Sequence, residues 1–213
     1  MSAGTWDGDH WPEVAESSNA TGGPQAASRR VRATQSPVVR QVITSLPWLI
    51  PGSVVALVVS VLASGPVGAW LRTHRLLAAL LLFSLGVILA GTLTPLTAAE
   101  VIPPELRETC DLSRTTLAMP VDLASKADVV LNILLFIPFG FAIGTIPWSW
   151  RKAGVILAGI ALPFAIEGVQ LAVLSLGRGC EAADVVDNLT GLVIGFVAGV
   201  PISWWPTSLR RIS

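Results

Sequence analysis

The sequence predicts an all-α fold, a polytopic transmembrane helical bundle. Hydrophobic residues make up 52% of the 213 residues and charged residues only 13%, against roughly 25% charged residues in an ordinary soluble protein. The apolar residues are gathered in five long runs that carry almost no charge, as membrane-crossing helices do. The formal net charge is zero, so no overall field attracts nucleic acid, and we expect no nucleic-acid partner.

Most of the apolar runs have close to the ~20 residues with which a helix crosses the ~30 Å hydrocarbon core of a bilayer. The first run is the exception, because it is shorter and is interrupted by Pro47, Pro51 and Gly52. We expect it to span the membrane, or else to enter and leave on one side with a break at Pro51-Gly52. The predicted segments are 46–63, 76–96, 129–150, 153–176 and 185–205.

The rest of the chain divides around these runs. Residues 1–45 are rich in Gly, Ser, Ala and acidic residues without any helical or strand period, so we expect a disordered N-terminal tail. Residues 46–71 form an extra N-terminal hydrophobic segment, residues 76–205 a four-helix transmembrane domain, and residues 206–213 a C-terminal tail. Small residues at four-residue spacing, Gly140-Gly144 and Gly191-Gly195-Gly199, predict closely packed helices.

Lys and Arg are distributed unevenly between the two predicted sides of the membrane. If the segments alternate, one side carries Arg72, Arg75, Arg151, Lys152, Arg210 and Arg211. An excess of Lys and Arg marks the cytoplasmic side. The links 97–128 and 177–184 then lie outside, and the longer one is net acidic. The arginines of the N-terminal tail also fall outside if the first run spans, a conflict that a re-entrant first run would remove.

Four of the predicted helices bring polar side chains to the acidic side. Asp128 and Asn132 are spaced i, i+4 and therefore share a helix face. A carboxylate at bilayer depth costs roughly 2.5–3.5 kcal/mol, so such groups usually have a function. We predict a polar pocket that opens to the acidic side, in which Arg178 binds a phosphate or carboxylate. The candidate ligand-binding residues are Asn132, Glu167, Gln170, Arg178, Asp184 and Asn188.

Structural roles compete with ligand binding at several of these positions. Asp128 and Asp184 stand at helix starts, where capping of free N–H groups is as good an interpretation as function. For Asp187 a cap or a solvated side chain is the favoured interpretation. The two asparagines suit hydrogen bonds between helices, and Glu167 suits a salt bridge with Arg178 or proton transfer.

The two cysteines, Cys110 and Cys180, fall in the two links that share a side. A disulfide between them is expected if that side is outside the cell, whereas both stay reduced if it is cytoplasmic. Two thiols are too few for a zinc site, and His10 and His74 stand alone. We therefore expect no metal ion and no cofactor.

The motifs at the acidic side, taken in order, resemble those of the VanZ-like family. They are Leu93-Thr94-Pro95, the run from Asn132-Ile133 to Pro138-Phe139-Gly140, Glu167-Gly168-Val169-Gln170, and Arg178 followed by Asp184, Asn188 and Gly191. The resemblance covers residues 76–200 and leaves the first segment outside. It implies a four-helix core in the bacterial cell membrane. The family takes its name from a protein that gives low-level resistance to the glycopeptide teicoplanin, and it has no assigned reaction.

Three functions are compatible with this sequence. The first is a binding protein of the bacterial envelope that takes an anionic lipid head group, a lipid-linked cell-wall precursor or the lipid-like part of a glycopeptide. The second is an intramembrane enzyme acting on a lipid phosphate or ester, with Glu167 or Asp184 as the general acid or base. The third is a structural or assembly subunit in which the polar residues only hold helices together. The oligomeric state is left open.

Overall fold

The computed structural model describes residues 47–96 and 109–204, which form helices and the links between them, with no strand beyond an isolated bridge between Asp111 and Glu181. Five of the helices are long and apolar enough to cross a membrane, which confirms the predicted fold class. The predicted tails, 1–45 and 206–213, lie outside the described residues. The helices are α1 Leu49–Leu71, α2 Arg75–Thr92, α3 Pro120–Ser125, α4 Ala127–Thr145, α5 Trp150–Ala172 and α6 Ala182–Trp204, with a 3₁₀ turn at Leu174–Leu176.

The first helix is longer than the predicted segment 46–63, because α1 continues through Pro51-Gly52 as one helix of 23 residues. Pro51 lies in the first turn of α1, where backbone N–H groups have no partner within the helix, so its missing N–H removes no helical hydrogen bond. Pro66 also lies within α1, as bilayer helices tolerate. The chain break that a re-entrant first segment requires is therefore not present.

The third predicted segment, 129–150, extends beyond the helix that is observed, because its last residues belong to the link between α4 and α5. Helix α4 ends at Thr145, and Ile146 is extended, with φ −65° and ψ 133°. The cause is Pro147, because the residue before a proline is disfavoured in the helical region. Helix α5 then begins at Trp150 under an N-cap, in which the Ser149 hydroxyl oxygen accepts a hydrogen bond from the Lys152 N–H at 3.2 Å.

Helices α4 and α6 form the most closely packed pair of helices. Gly191, Gly195 and Gly199 of α6 face the α4 backbone at Ile133, Ile137 and Phe141 in the same order along both helices, so the pair is parallel. A Cβ atom on any of these glycines would overlap a carbonyl group of α4. The structure therefore confirms the packing role that the four-residue spacing predicts.

Helices α1 and α2 form an antiparallel hairpin. Gly52 faces Ala90, and Gly86 faces Ala56, so small residues again bring the backbones together. Near the turn, the Arg75 Nε donates a hydrogen bond to the Ser64 hydroxyl oxygen at 3.0 Å. Apolar side chains from the five long helices meet in one buried core, which includes Leu71, Ile88, Phe136, Ile143, Ile166 and Leu192.

The alternation of the helices separates two ends of the bundle. We call residues 93–96, 109–126 and 173–181, with the adjoining helix ends, the acidic end, and residues 72–75 and 146–152 the basic end. At the basic end the Arg151 guanidinium lies over the rings of Trp70 and Trp150. The Lys152 Nζ donates a hydrogen bond to the Gly144 carbonyl oxygen at 2.9 Å, at the end of α4. Tryptophan and basic residues together are typical of a membrane–water interface.

Candidate functional site

The two links of the acidic end are joined to each other. Cys110 and Cys180 form a disulfide. Beside it, the Asp111 N–H donates to the Cys180 carbonyl oxygen at 2.8 Å and the Ala182 N–H donates to the Asp111 carbonyl oxygen at 2.9 Å. The disulfide and these backbone hydrogen bonds hold the link that follows α2 against the start of α6.

Two of the predicted ligand-binding residues anchor the C-terminus of α2. The Gln170 Nε2 donates to the Thr92 carbonyl oxygen at 3.0 Å. The Arg178 guanidinium donates to two further carbonyl oxygens, from Nε to Thr94 at 3.3 Å and from Nη2 to Gly91 at 2.7 Å. The last carbonyl groups of a helix lack partners within the helix, and the negative end of its dipole favours a cation. Gln170 and Arg178 therefore cap α2.

Glu167 is a buried carboxylate of α5 with a backbone partner. Its side chain is 5% exposed, and its Oε2 accepts a hydrogen bond from the Glu181 N–H at 2.8 Å. The two ion pairs found among the described residues involve neither Glu167 nor Arg178, so the alternative of a direct salt bridge is not observed. Burial lowers the pKa of Arg178, while the charges of Asp184 and Glu167 raise it, so all three groups lie within electrostatic reach.

An ion pair that the sequence interpretation missed joins the first link to α6. Both Nη atoms of Arg114 donate to the carboxylate of Asp187, and Nη1 also donates to the Thr116 carbonyl oxygen at 3.1 Å. The Asp187 side chain is 1% exposed and that of Arg114 is 18% exposed. The hydrogen bond to Asp187 raises the pKa of Arg114. The favoured interpretation of Asp187 as a cap or solvated residue is thus wrong, because the residue is buried in a bidentate pair.

A polar pocket of about 160 Å³ lies at the acidic end between the first link and the starts of α4 and α6. Burial raises the pKa of Glu181 in this pocket, and the charges of Asp111 and Asp128 raise it further. The residues described contain no group of three or more His, Cys, Asp or Glu that is arranged to hold a metal ion. The charged residues lining the polar pocket are Asp111, Arg114, Lys126, Asp128, Glu181 and Asp184.

The two predicted asparagines lie at different depths. Asn132 of α4 is half-buried. Asn188 of α6 is 1% exposed, and its Oδ1 has no hydrogen-bond partner among the described residues. Asp184 lies one turn above Asn188 on the same face of α6, and this face continues toward the polar pocket. The structure therefore places Asp184 in the lining of the polar pocket and Asn188, one turn further along α6, outside that lining.

An apolar cleft of about 510 Å³ adjoins the polar pocket, between α5 and α6. We call it the α5–α6 cleft. The disulfide and Leu112 cover it at the acidic end, and Glu167 and Glu181 are its two acidic residues. Glu181 also lines the polar pocket, so the two cavities share a residue. The side walls of the cleft are formed by Phe164 and Gly168 of α5 and by Val185, Val186 and Leu189 of α6.

A second large groove lies on the α1–α2 hairpin and has a volume of about 590 Å³. Its lining includes Trp48, Val55, Val59, Leu82 and Leu85, and none of its lining residues is charged. Of the two large apolar cavities, the α5–α6 cleft is the one that has a predicted site residue, Glu167, in its lining.

A comparison with protein families identifies the chain. The family model described as VanZ/LLP1 matches residues 53–202. The chain belongs to the VanZ/LLP1 family. With its five apolar helices, it is a multi-pass membrane protein of that family. Comparisons with the curated proteins and with the solved structures give no match.

The VanZ/LLP1 match covers more of the chain than the sequence resemblance does. It begins inside α1, whereas the resemblance starts at residue 76 and leaves the first segment outside. All six candidate ligand-binding residues lie within the matched range. In the structure Gln170 and Arg178 hold α2, while Glu167, Asp184 and Asn188 lie around the start of α6. The sixth residue, Asn132, lies on α4.

Proposed function

We propose that this VanZ/LLP1 protein lies in the bacterial cell membrane and binds an amphiphile of the envelope at its acidic end. The apolar chain of the amphiphile occupies the α5–α6 cleft, and the polar head reaches the polar pocket. The observation that supports this proposal is the shared residue Glu181, which lines the cleft on one side and the pocket on the other. Ligand sites are typically apolar cavities with a few polar groups of this kind.

The head group must provide most of the selectivity in such a site. Lipid tails are as apolar as the side chains of the cleft, so moving a chain from the bilayer into the cleft gains little hydrophobic free energy. The cleft instead fixes the position of the chain by its shape. Its acidic groups, Glu167 and Glu181, and the polar groups of the adjoining pocket then distinguish one head group from another.

The charge distribution supports an outer-leaflet location for the site. Arg72, Arg75, Arg151 and Lys152 are gathered at the basic end, which the positive-inside rule assigns to the cytoplasm. A disulfide at the acidic end suits the oxidising side of the membrane. An outer-leaflet amphiphile of the cell envelope can be a lipid-linked cell-wall precursor or the lipid-like part of a glycopeptide. Binding of either ligand would link the protein to teicoplanin resistance, and we include this link in the proposal.

The proposal is tested by filling the cleft at Gly168. A Cβ atom on Gly168 would have nothing within 4 Å, so Gly168→Leu places a side chain in open space beside the cleft. The purified protein in maltoside micelles is titrated with dodecylammonium, dodecyl phosphate and dodecanol, with empty micelles as the blank. We expect Gly168→Leu to weaken each amphiphile that binds the wild type by about tenfold, because filling the cleft excludes the chain.

The matched control is Gly154→Leu. Gly154 lies on the same helix and is equally open, but it does not line the cleft. We expect its affinities to stay within about twofold of those of the wild type. The proposal is contradicted if the wild type binds none of the three amphiphiles, or if the two leucine variants lose affinity equally.

A further inference from the structure

A second apolar cavity lies between α5 and α6, nearer the basic end than the α5–α6 cleft. We call it the deep cavity, and its volume is about 230 Å³. Its wall includes the buried Ile143 of α4, while Ile160 of α5 and Val193 of α6 are about half exposed at its rim. All of its lining residues are apolar, namely Ile143, Ile156, Ile160, Leu192, Val193 and Phe196.

The deep cavity and the α5–α6 cleft lie end to end along the same two helices. On α5, Ile160 of the deep cavity is four residues from Phe164 of the cleft. On α6, Val193 of the deep cavity is four residues from Leu189 of the cleft. Residues at four-residue spacing share a helix face and are about one turn apart. The two cavities therefore follow one line, and we call them together the extended cleft.

The packing of α6 explains why this line is open. Helix α6 turns its glycine face, which includes Gly191 and Gly195, toward α4 and packs most closely there. Leu189 and Val193, which line the extended cleft, lie on a different face of α6. Helix α5 approaches that face less closely than α4 approaches the glycine face. The close α4–α6 contact thus leaves a gap between α5 and α6.

The extended cleft crosses the middle of the membrane. Helices α5 and α6 each have 23 residues, or about 35 Å at 1.5 Å per residue, so their midpoints lie near the middle of the ~30 Å hydrocarbon core. These midpoints are at residues 161 and 193, and the lining residues Ile156 and Phe196 lie on the basic side of them. A chain that fills the extended cleft from the acidic end must therefore reach beyond one leaflet.

The length of the extended cleft sets the length of this chain. Phe196 lies 14 residues beyond Ala182 on α6, which is about 21 Å along the helix. An extended polypeptide advances about 1.2 Å per backbone bond, and an extended alkyl chain has similar bond lengths. The extended cleft thus accommodates roughly 18 carbons. A dodecyl chain, at about 14 Å, ends near the start of the deep cavity.

A buried cation limits the extended cleft toward the basic end. Lys152 lies four residues before Ile156, at the next position along the same face of α5. The Lys152 Nζ is 5.3 Å from the centroid of the Phe196 ring and donates to the Gly144 carbonyl oxygen. A charged group at this position does not favour an apolar chain. The extended cleft therefore has a defined length.

We infer that the ligand is a single-chain amphiphile whose chain of about 18 carbons lies extended across the middle of the bilayer. This inference rests on the proposed function, because the same molecule has its head at the polar pocket. The chain passes Leu189 and Val193 and ends at Phe196. The ligand class differs from a two-chain phospholipid, because the extended cleft offers one line of cavities, and from a short-chain amphiphile, which leaves the deep cavity unfilled.

The test compares the three dodecyl amphiphiles with their octadecyl and docosyl homologues, which carry the same head groups. Affinities of the full-length protein in maltoside micelles are referred to the mole fraction in the micelle, so partitioning into detergent cancels. The octadecyl homologue of each amphiphile that binds should bind about tenfold more tightly, because it adds contacts along the deep cavity. The docosyl homologue should gain less than about twofold over it, because the added carbons leave the extended cleft and meet only similar chains.

Val193→Trp is the variant that fills the deep cavity, and Val197→Trp is its matched control. Both valines are more than half exposed on α6, but only Val193 lines the cavity. Val193→Trp should weaken octadecyl binding by about tenfold and leave dodecyl binding within about twofold. Val197→Trp should leave both within about twofold.

The other outcomes separate this inference from the proposed function. Equal affinity for dodecyl and octadecyl homologues, both weakened by Gly168→Leu, overturns the chain inference and leaves the amphiphile proposal standing. An affinity that keeps rising from octadecyl to docosyl overturns the inference, because a cleft of defined length does not produce such a rise. Equal loss of octadecyl affinity in the two tryptophan variants also overturns it. Absence of binding at every chain length overturns both proposals.

Discussion

Individual residues of the acidic end have partners that the sequence pattern does not reveal. Gln170 and Arg178 lie at the acidic end with the other polar residues, and their observed partners are backbone carbonyl groups at and just beyond the end of α2. Glu167 likewise accepts from a backbone N–H. Backbone groups occur at every position, so no residue type marks them in advance. The spacing of polar residues predicts which end they occupy but not what they contact.

The Arg114–Asp187 pair shows the same limit with two side chains. Asp187 lies in the first turns of an apolar helix, where a buried carboxylate needs a cation, and this is the signal that could have pointed to Arg114. The two residues are 73 positions apart in the chain. Nothing in the local sequence relates them, because the fold of the link brings them together.

At the residue scale, the account predicts a pH dependence that originates at Glu181. The raised pKa of Glu181 comes first from burial and then from Asp111 and Asp128, while Arg114 and Lys126 lower it. The carboxyl therefore keeps its proton to a higher pH than an ordinary glutamate. Because only the ionised form attracts an ammonium group, dodecylammonium affinity should rise with pH as Glu181 loses its proton. The measurement is a titration of binding from about pH 4 to pH 8.

The control for this titration is Glu181→Gln, which cannot ionise. Its affinity should change less with pH than that of the wild type, and the difference between the two curves isolates Glu181 from the neighbouring carboxylates. Parallel curves for the two proteins would contradict the prediction.

At the scale of helices, hydropathy predicts the existence of the five spans better than their ends. The four later spans are found close to their predicted positions, but α4 ends earlier because of Pro147, and α1 runs on beyond residue 63. Hydropathy averaged over a window of residues depends on the apolar content of the window, whereas the end of a helix depends on capping residues and on single prolines. The glycine spacing is more informative, because it predicts which faces of α4 and α6 pack closely, although it does not predict that the two helices contact each other.

The glycine contact gives a prediction about stability. In Gly195→Ala the new Cβ atom would overlap the α4 backbone at Ile137. Overpacking of this kind lowers the free energy of unfolding by about 1–3 kcal/mol. Gly154→Ala is the control, because a Cβ atom there has nothing within 4 Å, and replacing a helical glycine by alanine is stabilising by about 0.5–1 kcal/mol.

Denaturant unfolding in detergent micelles, followed by far-UV circular dichroism, measures both variants. The unfolding midpoint of Gly195→Ala should fall below that of the wild type, while that of Gly154→Ala should stay equal or rise. A midpoint for Gly195→Ala at or above that of Gly154→Ala would mean that the α4–α6 contact is looser than described.

At the scale of the whole molecule, counting spans predicts that the two links share an end, and the structure joins them there through Cys110 and Cys180. The arrangement of neighbours is not predictable in the same way. Helices that are apolar on every side carry little information about which face meets which partner. For this reason the α5–α6 cleft, which depends on the neighbours of α5, is absent from the sequence interpretation.

The central claim is that the amphiphile chain lies in the α5–α6 cleft, and photo-crosslinking tests it most directly. A dodecylammonium probe with a diazirine in its chain is bound to the purified protein and irradiated, and the adducts are mapped by mass spectrometry. The account predicts adducts on the cleft walls at Phe164, Val186 and Leu189 that excess unlabelled dodecylammonium suppresses. Adducts concentrated in the α1–α2 groove at Val55 and Val59, or spread evenly over the lipid-facing helices, would contradict it.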